Sequence, residues 1–322
     1  MTGTDGHTPM PYLDCTEVPA QAEIRVHQPT VPVLAVERLE GTIRGAAMAI
    51  EERVATHYTH GSLEQAILDA LRNSGKDIDR LHAGDLRGVD EFHLGWHVAT
   101  LELVRDLKIP DSAHVLDIGS GIGGPARTMV EECGCRVTGV DVTEEFVAVA
   151  NALTHRCGLH DRASFHRASG LQMPFPDGNF DAAVLIHVGM NVKDKASLFA
   201  EARRVMKQGA PLGVYDIMRI SDDDLPYPLP WAVTPETSFV ETPETYRRLL
   251  RDAGFTVEQE HDRSAVALRL ADEMREVIDR DGPPPLGMHL IMGEAMAERF
   301  ANVIAALRSG LIAPTQMIAR AA

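Results

Sequence analysis

Short, nearly unbroken apolar runs alternate along the chain with longer stretches in which apolar positions return every three or four residues. The runs are Val115 to Ile118, Cys135 to Asp141, Ala163 to Ala168, Phe180 to His187, Pro211 to Met218 and Thr256 to Glu260. Each has the length of a strand, and Phe180 to His187 is so apolar at its centre that it reads as covered on both faces. The intervening stretches carry helix starts: Pro125, then Thr143 followed by Glu144 and Glu145, then Lys195, then Thr242 with Pro243. Ahead of the first strand, Val33 to about His57 has helical spacing, and Ser62-Leu-Glu-Gln65 is a capping-box signature for a second helix to about Leu71. Asp90 to His97 is expected to open a third helix that leads into the sheet. This pattern predicts an α/β protein preceded by helices.

The first strand runs into His114-Val-Leu-Asp-Ile-Gly-Ser-Gly-Ile-Gly-Gly-Pro-Ala-Arg127. A buried strand, a glycine-rich turn and a helix N-terminus make a cofactor cradle, because the glycines let backbone approach a ligand and the first turn offers unpaired N–H groups. Gly119-x-Gly121-x-x-Gly124 also fits the dinucleotide fingerprint, so the turn alone does not choose the cofactor. Asp117 does: its carboxylate repels a pyrophosphate and attracts a cation, and S-adenosylmethionine carries an ammonium and a sulfonium but no phosphate. The second strand ends in Asp141, the acid that a Rossmann-type site places on ribose hydroxyls.

With these residues the chain resembles the class I, Rossmann-like, S-adenosylmethionine-dependent methyltransferases, from about Tyr58 to the C-terminus. It is most similar to their small-molecule branch, which includes sarcosine/dimethylglycine, phosphoethanolamine and tocopherol-type enzymes. The matching runs, in the family's order, are Val115-Leu-Asp-Ile-Gly-Ser-Gly-Ile-Gly123, Gly139-Val-Asp-Val-Thr143, Met173-Pro-Phe-Pro-Asp-Gly-Asn-Phe-Asp181 and Ile186-His-Val-Gly-Met-Asn191. The resemblance implies a doubly wound, seven-stranded, mostly parallel sheet whose last strand, about Thr315 to Arg320, is antiparallel. It also implies a helical insertion at about 265 to 310 before that strand, interrupted by Pro283-Pro-Pro-Leu-Gly-Met-His289.

For the cofactor the resemblance implies Asp117, Gly119, Ser120, Gly121 and Gly123 beside the methionine part and Asp141 with Val142 on the ribose. Ser169, Gly170 and Leu171 would lie beside the adenine, and Ile186 with His187 at the end of the fourth strand. The family usually has an Asp where this chain has Ser169. The transferred methyl needs only a nucleophile held in line and water excluded. If the nucleophile arrives protonated, His187, His93, Tyr215 and Asp216 are the candidate bases, and the sequence does not choose among them. Met190, Asn191, Trp231 and His289 are expected in an acceptor pocket, with the proline-rich insertion at 222 to 240 as one wall.

The formal charge of −16, from 47 acidic against 31 basic side chains in 322 residues, opposes nucleic-acid phosphates and anionic membranes, and points to a small-molecule acceptor. No run of about 18 apolar residues and no basic leader with an apolar core occur, which places the protein in the cytoplasm. Cys15, Cys133, Cys135 and Cys157 are too few and too irregular for a disulfide framework, and no metal is expected. The division expected is a Pro- and Thr-rich arm over 1–34, a helical segment over 35–80 that simply packs on the fold, covers the cofactor site or pairs copies in a homodimer, and a catalytic domain over 81–322. Two other readings share the glycine turn. One is a nicotinamide-dependent oxidoreductase, which lacks a recognisable hydride-transfer set here. The other is a non-catalytic ligand-binding protein on the same scaffold.

Overall fold

The computed structural model describes residues 51–53, 55–59 and 61–322; the expected arm over 1–34 and most of the first expected helix lie outside the described residues. Residues 51–53 and 55–58 are helical. Helices α1 (Leu63–Asn73) and α2 (Trp96–Leu107) then lead to a sheet of β1 (His114–Ile118), β2 (Arg136–Asp141), β3 (Ala163–Arg167), β4 (Ala182–Ile186), β5 (Pro211–Arg219), β6 (Phe255–Asp262) and β7 (Ile312–Ala321). Between strands lie α3 (Gly124–Cys133), α4 (Glu144–Arg156), α5 (Lys195–Val205) and α6 (Pro243–Asp252). Helices α7 (Ser264–Asp281), α8 (His289–Met292) and α9 (Met296–Arg308) fill the span between β6 and β7.

The strand order is β3-β2-β1-β4-β5-β7-β6, with β7 antiparallel to both neighbours and the other pairs parallel. This is the expected doubly wound sheet with its split final hairpin and helical insertion. The order reverses between β1 and β4, where strand ends diverge and open α/β sheets hold ligands. One apolar layer packs α2, α3 and α4 on the sheet, and the other packs α5 and α6, with Phe180, Phe199 and Tyr246 fully buried. The insertion reaches back over the N-terminal side: Ile291 of α8 shares a cluster with Leu63 and Ile67 of α1, and Val303 of α9 packs with Leu229 and Trp231.

Three local expectations are corrected. The helix expected to open at Asp90 begins at Trp96, because Gly95 takes φ 86° and Asp90, Glu91 and His93 instead turn inward to buried partners. Ser62 does not cap α1 with its hydroxyl; the Glu145 carboxylate accepts from the N–H groups of Gly61 and Leu63 at 2.9 and 3.0 Å, a charged cap that displaces a neutral one. Phe180 lies outside β4 and makes an isolated parallel bridge to Met206.

The inward turn is held by one ion pair. Arg127 of α3 has no exposed surface; it donates to Asp90 Oδ2 at 2.8 Å, to the Ile122 carbonyl at 2.8 Å and to Thr154 Oγ1 at 2.9 Å. Gly124 makes the approach feasible, since a Cβ there would overlap the Asp90 carbonyl. Removing one partner of a buried pair strands the other charge, so Arg127→Met should lower unfolding free energy by roughly 3 to 5 kcal/mol. Urea denaturation followed by circular dichroism measures this; a loss below about 1 kcal/mol would show that the pair does not hold the loop.

Candidate active site

The turn after β1 folds back on β2. Gly119 and Ser120 N–H groups both donate to the Val140 carbonyl, at 2.8 and 3.0 Å, and Gly121 N–H donates to Asp141 Oδ2 at 3.0 Å. Gly119 sits at φ 74°, and a Cβ there would run into Val188, so only glycine fits this crossing. Asp141 Oδ1 accepts from Thr143 N–H at 2.8 Å. Burial pushes the Asp141 carboxyl above its ordinary range, while these N–H bonds pull the other way.

A cavity opens above the ends of β1, β2 and β4. Among the described residues, seven buried side-chain polar atoms have no hydrogen-bond partner, and five belong to residues lining this cavity. They are Asp90 Oδ1, Asp117 Oδ2, Ser120 Oγ, His187 Nε2 and Asn191 Oδ1. Unpartnered buried polar atoms cost free energy, and their convergence on one space marks it as a ligand site. Burial, with Asp141 and Glu91 as like-charged neighbours, raises the Asp117 carboxyl to about 7. A carboxylate so placed favours a cationic partner.

A second cavity adjoins the first, and Tyr58, Phe92, His93 and His187 line both. Its own wall is apolar, including Trp96, Met190, Ile217, Trp231 and Phe300. His187 follows β4 with φ 53°, a strained region for a non-glycine residue, while its N–H still donates to the Tyr215 carbonyl at 2.7 Å. Its ring lies 5.7 Å from that of His93 and stacks on Tyr215 at 5.3 Å. Burial lowers both imidazoles below the ordinary histidine value; Glu91 opposes this at His93, and a charge on His93 would add to it at His187.

The structure gathers Asp117, Gly119, Ser120, Gly121, Asp141, Val142, Gly170, Leu171, Ile186, His187 and Asn191 around the first cavity, and Met190 and Trp231 around the second. Other expected site residues do not line either. Tyr215 donates its hydroxyl to the Leu94 carbonyl at 2.7 Å, and Asp216 is buried against Gly189 N–H and the Tyr246 hydroxyl, because successive β5 residues point into the two packed layers. Ser169 donates its hydroxyl to Glu51, which lines the first cavity, and accepts from Leu171 N–H at 3.0 Å. Gly123 is the N-cap of α3, and His289 lies beside Gly287 while its neighbours Met288, Ile291 and Met292 supply the walls. The sequence reading missed Tyr58, Glu91, Phe92, Trp96 and Phe300. The available signal was that both tryptophans of an aromatic-poor chain, Trp96 and Trp231, line one cavity.

Residues 116–213 match the family model described as a methyltransferase domain. A sterol 24-C-methyltransferase of Gibberella zeae is 37% identical over 114 residues, 35% of this chain and 30% of that protein. The chain thus spans about a third of the length of such curated relatives. A geranyl diphosphate methyltransferase solved with geranyl diphosphate and sinefungin superposes with TM-score 0.61 and 18% identity over 85% of this chain and all of that one. The [4+2]-cyclase SpnF superposes with TM-score 0.54 and 23% identity over 80% of this chain and 93% of that one.

The raised Asp117 carboxyl has a consequence for stability. Its folded value, about 7, lies above the ordinary 3.8, so the folded state holds a proton that the unfolded state has lost, and stability falls as pH rises between those values. Asp117→Asn removes this penalty. The variant should gain on wild type from about pH 4 to pH 8, reaching up to about 4 kcal/mol, in urea denaturation of the ligand-free protein. A pH-independent difference would contradict the burial of an ionisable group there.

Proposed function

We propose, for a chain that carries a class I S-adenosylmethionine-dependent methyltransferase domain, that the whole protein transfers the cofactor's methyl group to a small-molecule acceptor. The fold alone does not decide this, since a cyclase shares it. The reading is carried by Asp117, a buried carboxylate with one oxygen unpartnered on the wall of the first cavity. That oxygen suits the cofactor's ammonium and would repel the pyrophosphate of a nicotinamide dinucleotide.

In this reading Asp117 and the turn from Gly119 to Gly121 hold the methionine part. Asp141, whose oxygens keep lone pairs beyond the two N–H bonds they accept, takes the ribose, and Gly170 and Leu171 flank the adenine. When bound, the cofactor supplies a methyl group already activated by its sulfonium. The protein's part is to place the acceptor and keep water away, which contributes on the order of 7 to 11 kcal/mol in well-oriented systems. His187 and His93, lining both cavities, stand where cofactor and acceptor would meet, and Trp231 closes the acceptor side. Tyr58, from the N-terminal helical segment, lines both cavities, which favours a covering role for that segment over a pairing role.

The net charge of −16 supports a small-molecule acceptor over nucleic acid. Among the described residues no helix is long and apolar enough to cross a membrane, and we place the activity in the cytoplasm.

Titration calorimetry with S-adenosylmethionine tests the assignment. A cation beside Asp117 lowers its folded value from about 7, so binding should release protons and tighten as pH rises through about 7, levelling above about 8. Asp117→Asn should abolish both the slope and the proton release. Tighter binding of NAD, or cofactor binding indifferent to pH and to Asp117→Asn, would overturn the reading.

A further inference from the structure

We infer that the second cavity takes an uncharged, largely apolar acceptor whose single protic group is held by the His93 and His187 imidazoles. This rests on reading the first cavity as the cofactor site and narrows the acceptor class.

Three observations carry it. First, the wall offers no counter-charge: among the described residues no lysine or arginine lines the cavity, and its one carboxylate, Glu91, is already engaged. His97 Nδ1 meets Glu91 Oε1 at 3.1 Å, and the Thr100 hydroxyl donates to Oε2 at 2.8 Å. Although burial opposes it, the hydrogen bonds from His97 and Thr100 hold Glu91 ionised, below the usual glutamate range. Of the charges that the lining itself presents, a phosphate or carboxylate would therefore meet that of Glu91 alone, in an apolar shell. A cationic acceptor would have to compete with His97 and Thr100 for the Glu91 oxygens and would lie against the cofactor's own sulfonium.

Second, the apolar faces are free while their polar handles point elsewhere. Trp231 donates its indole N–H to Ser238 Oγ at 2.9 Å, leaving its ring for the cavity. Phe300, Ile217 and Met292 add wall without polar atoms.

Third, the imidazoles retain hydrogen-bonding capacity toward a ligand. His93 Nε2 faces the Trp96 carbonyl at 3.0 Å, which only accepts, and the Thr100 oxygen at 3.1 Å, whose proton goes to Glu91. Its proton is thereby fixed on Nε2, and Nδ1 is the acceptor. His187 Nε2 is buried without any partner, on a ring that lines both cavities. One O–H or N–H group on an otherwise apolar molecule matches this pair.

Because both tryptophans line this cavity, their emission reports its occupancy. The probes are 1-adamantanol, its methyl ether, adamantane-1-carboxylate and 1-adamantanamine, titrated into protein loaded with S-adenosylhomocysteine. The alcohol should shift the emission saturably and bind at least about tenfold more tightly than the carboxylate or the ammonium, and about fivefold more tightly than the ether. His93→Phe, which removes the acceptor Nδ1, should erase the difference between alcohol and ether, and His187→Phe should weaken both. Met288→Arg, at a half-buried wall position, should raise carboxylate affinity at least about tenfold. Carboxylate or ammonium binding as tightly as the alcohol, an ether that equals the alcohol in wild type, or no emission change with any probe would each overturn the inference. S-adenosylhomocysteine binding is measured separately by calorimetry: if it fails, the cofactor reading fails, and if it succeeds while the probe order is wrong, only the acceptor class falls.

Discussion

A carboxylate buried at the end of a parallel strand, with one oxygen left unpartnered, is a cost that the folded chain carries until something cationic meets it. Asp117 is that group, and among the described residues no side chain meets its free oxygen. The glycine turn crosses directly to Val140, β2 ends in Asp141 with its own backbone partners, and β4 ends in a strained histidine whose ring faces the same space. Neighbouring acids compound the cost, since Asp141 and Glu91 both raise the Asp117 carboxyl. Strand order makes this geometry available: β1 and β4 flank the point where the sheet reverses direction, so their ends open into a crevice.

The second cavity depends on a different buried charge. Arg127, on the helix that follows the glycine turn, draws Asp90 inward. The adjoining Glu91 and His93 are thereby fixed between the cofactor crevice and the apolar space beyond it. Sheet, glycine turn and inward loop form one mechanical unit, because Gly124 supports the crossing of the loop and the same turn supports Asp141. The roof comes from the insertion between β6 and β7 and from the loop after β5, whose apolar residues pack on each other as well as over the site.

Much of this was legible in the sequence because it follows local rules. The apolar runs gave the strands to within a residue or two, glycines marked the crossing, and acids at strand ends marked the cofactor side. What was not legible depends on which way a side chain turns. Tyr215 and Asp216 end a strand beside the site, yet strand alternation sends each into a packed layer. Ser169 sits one residue from the cavity-lining Gly170, but its hydroxyl is taken up by Glu51. The loop from Asp90 to Gly95 looked helical because its polar residues could have been a solvated face, and only the distant Arg127 shows that they are buried. Tyr58 and Phe300, more than 200 positions apart in the chain, line one cavity, an arrangement that no local pattern encodes.

The most direct test of the account is a crystal structure of the protein with S-adenosylhomocysteine. The account predicts the ligand's amino group at hydrogen-bonding distance from Asp117, its ribose on Asp141, and its sulfur at the rim shared by the two cavities beside His187. A ligand bound with its amino group elsewhere and Asp117 still unpaired would contradict it.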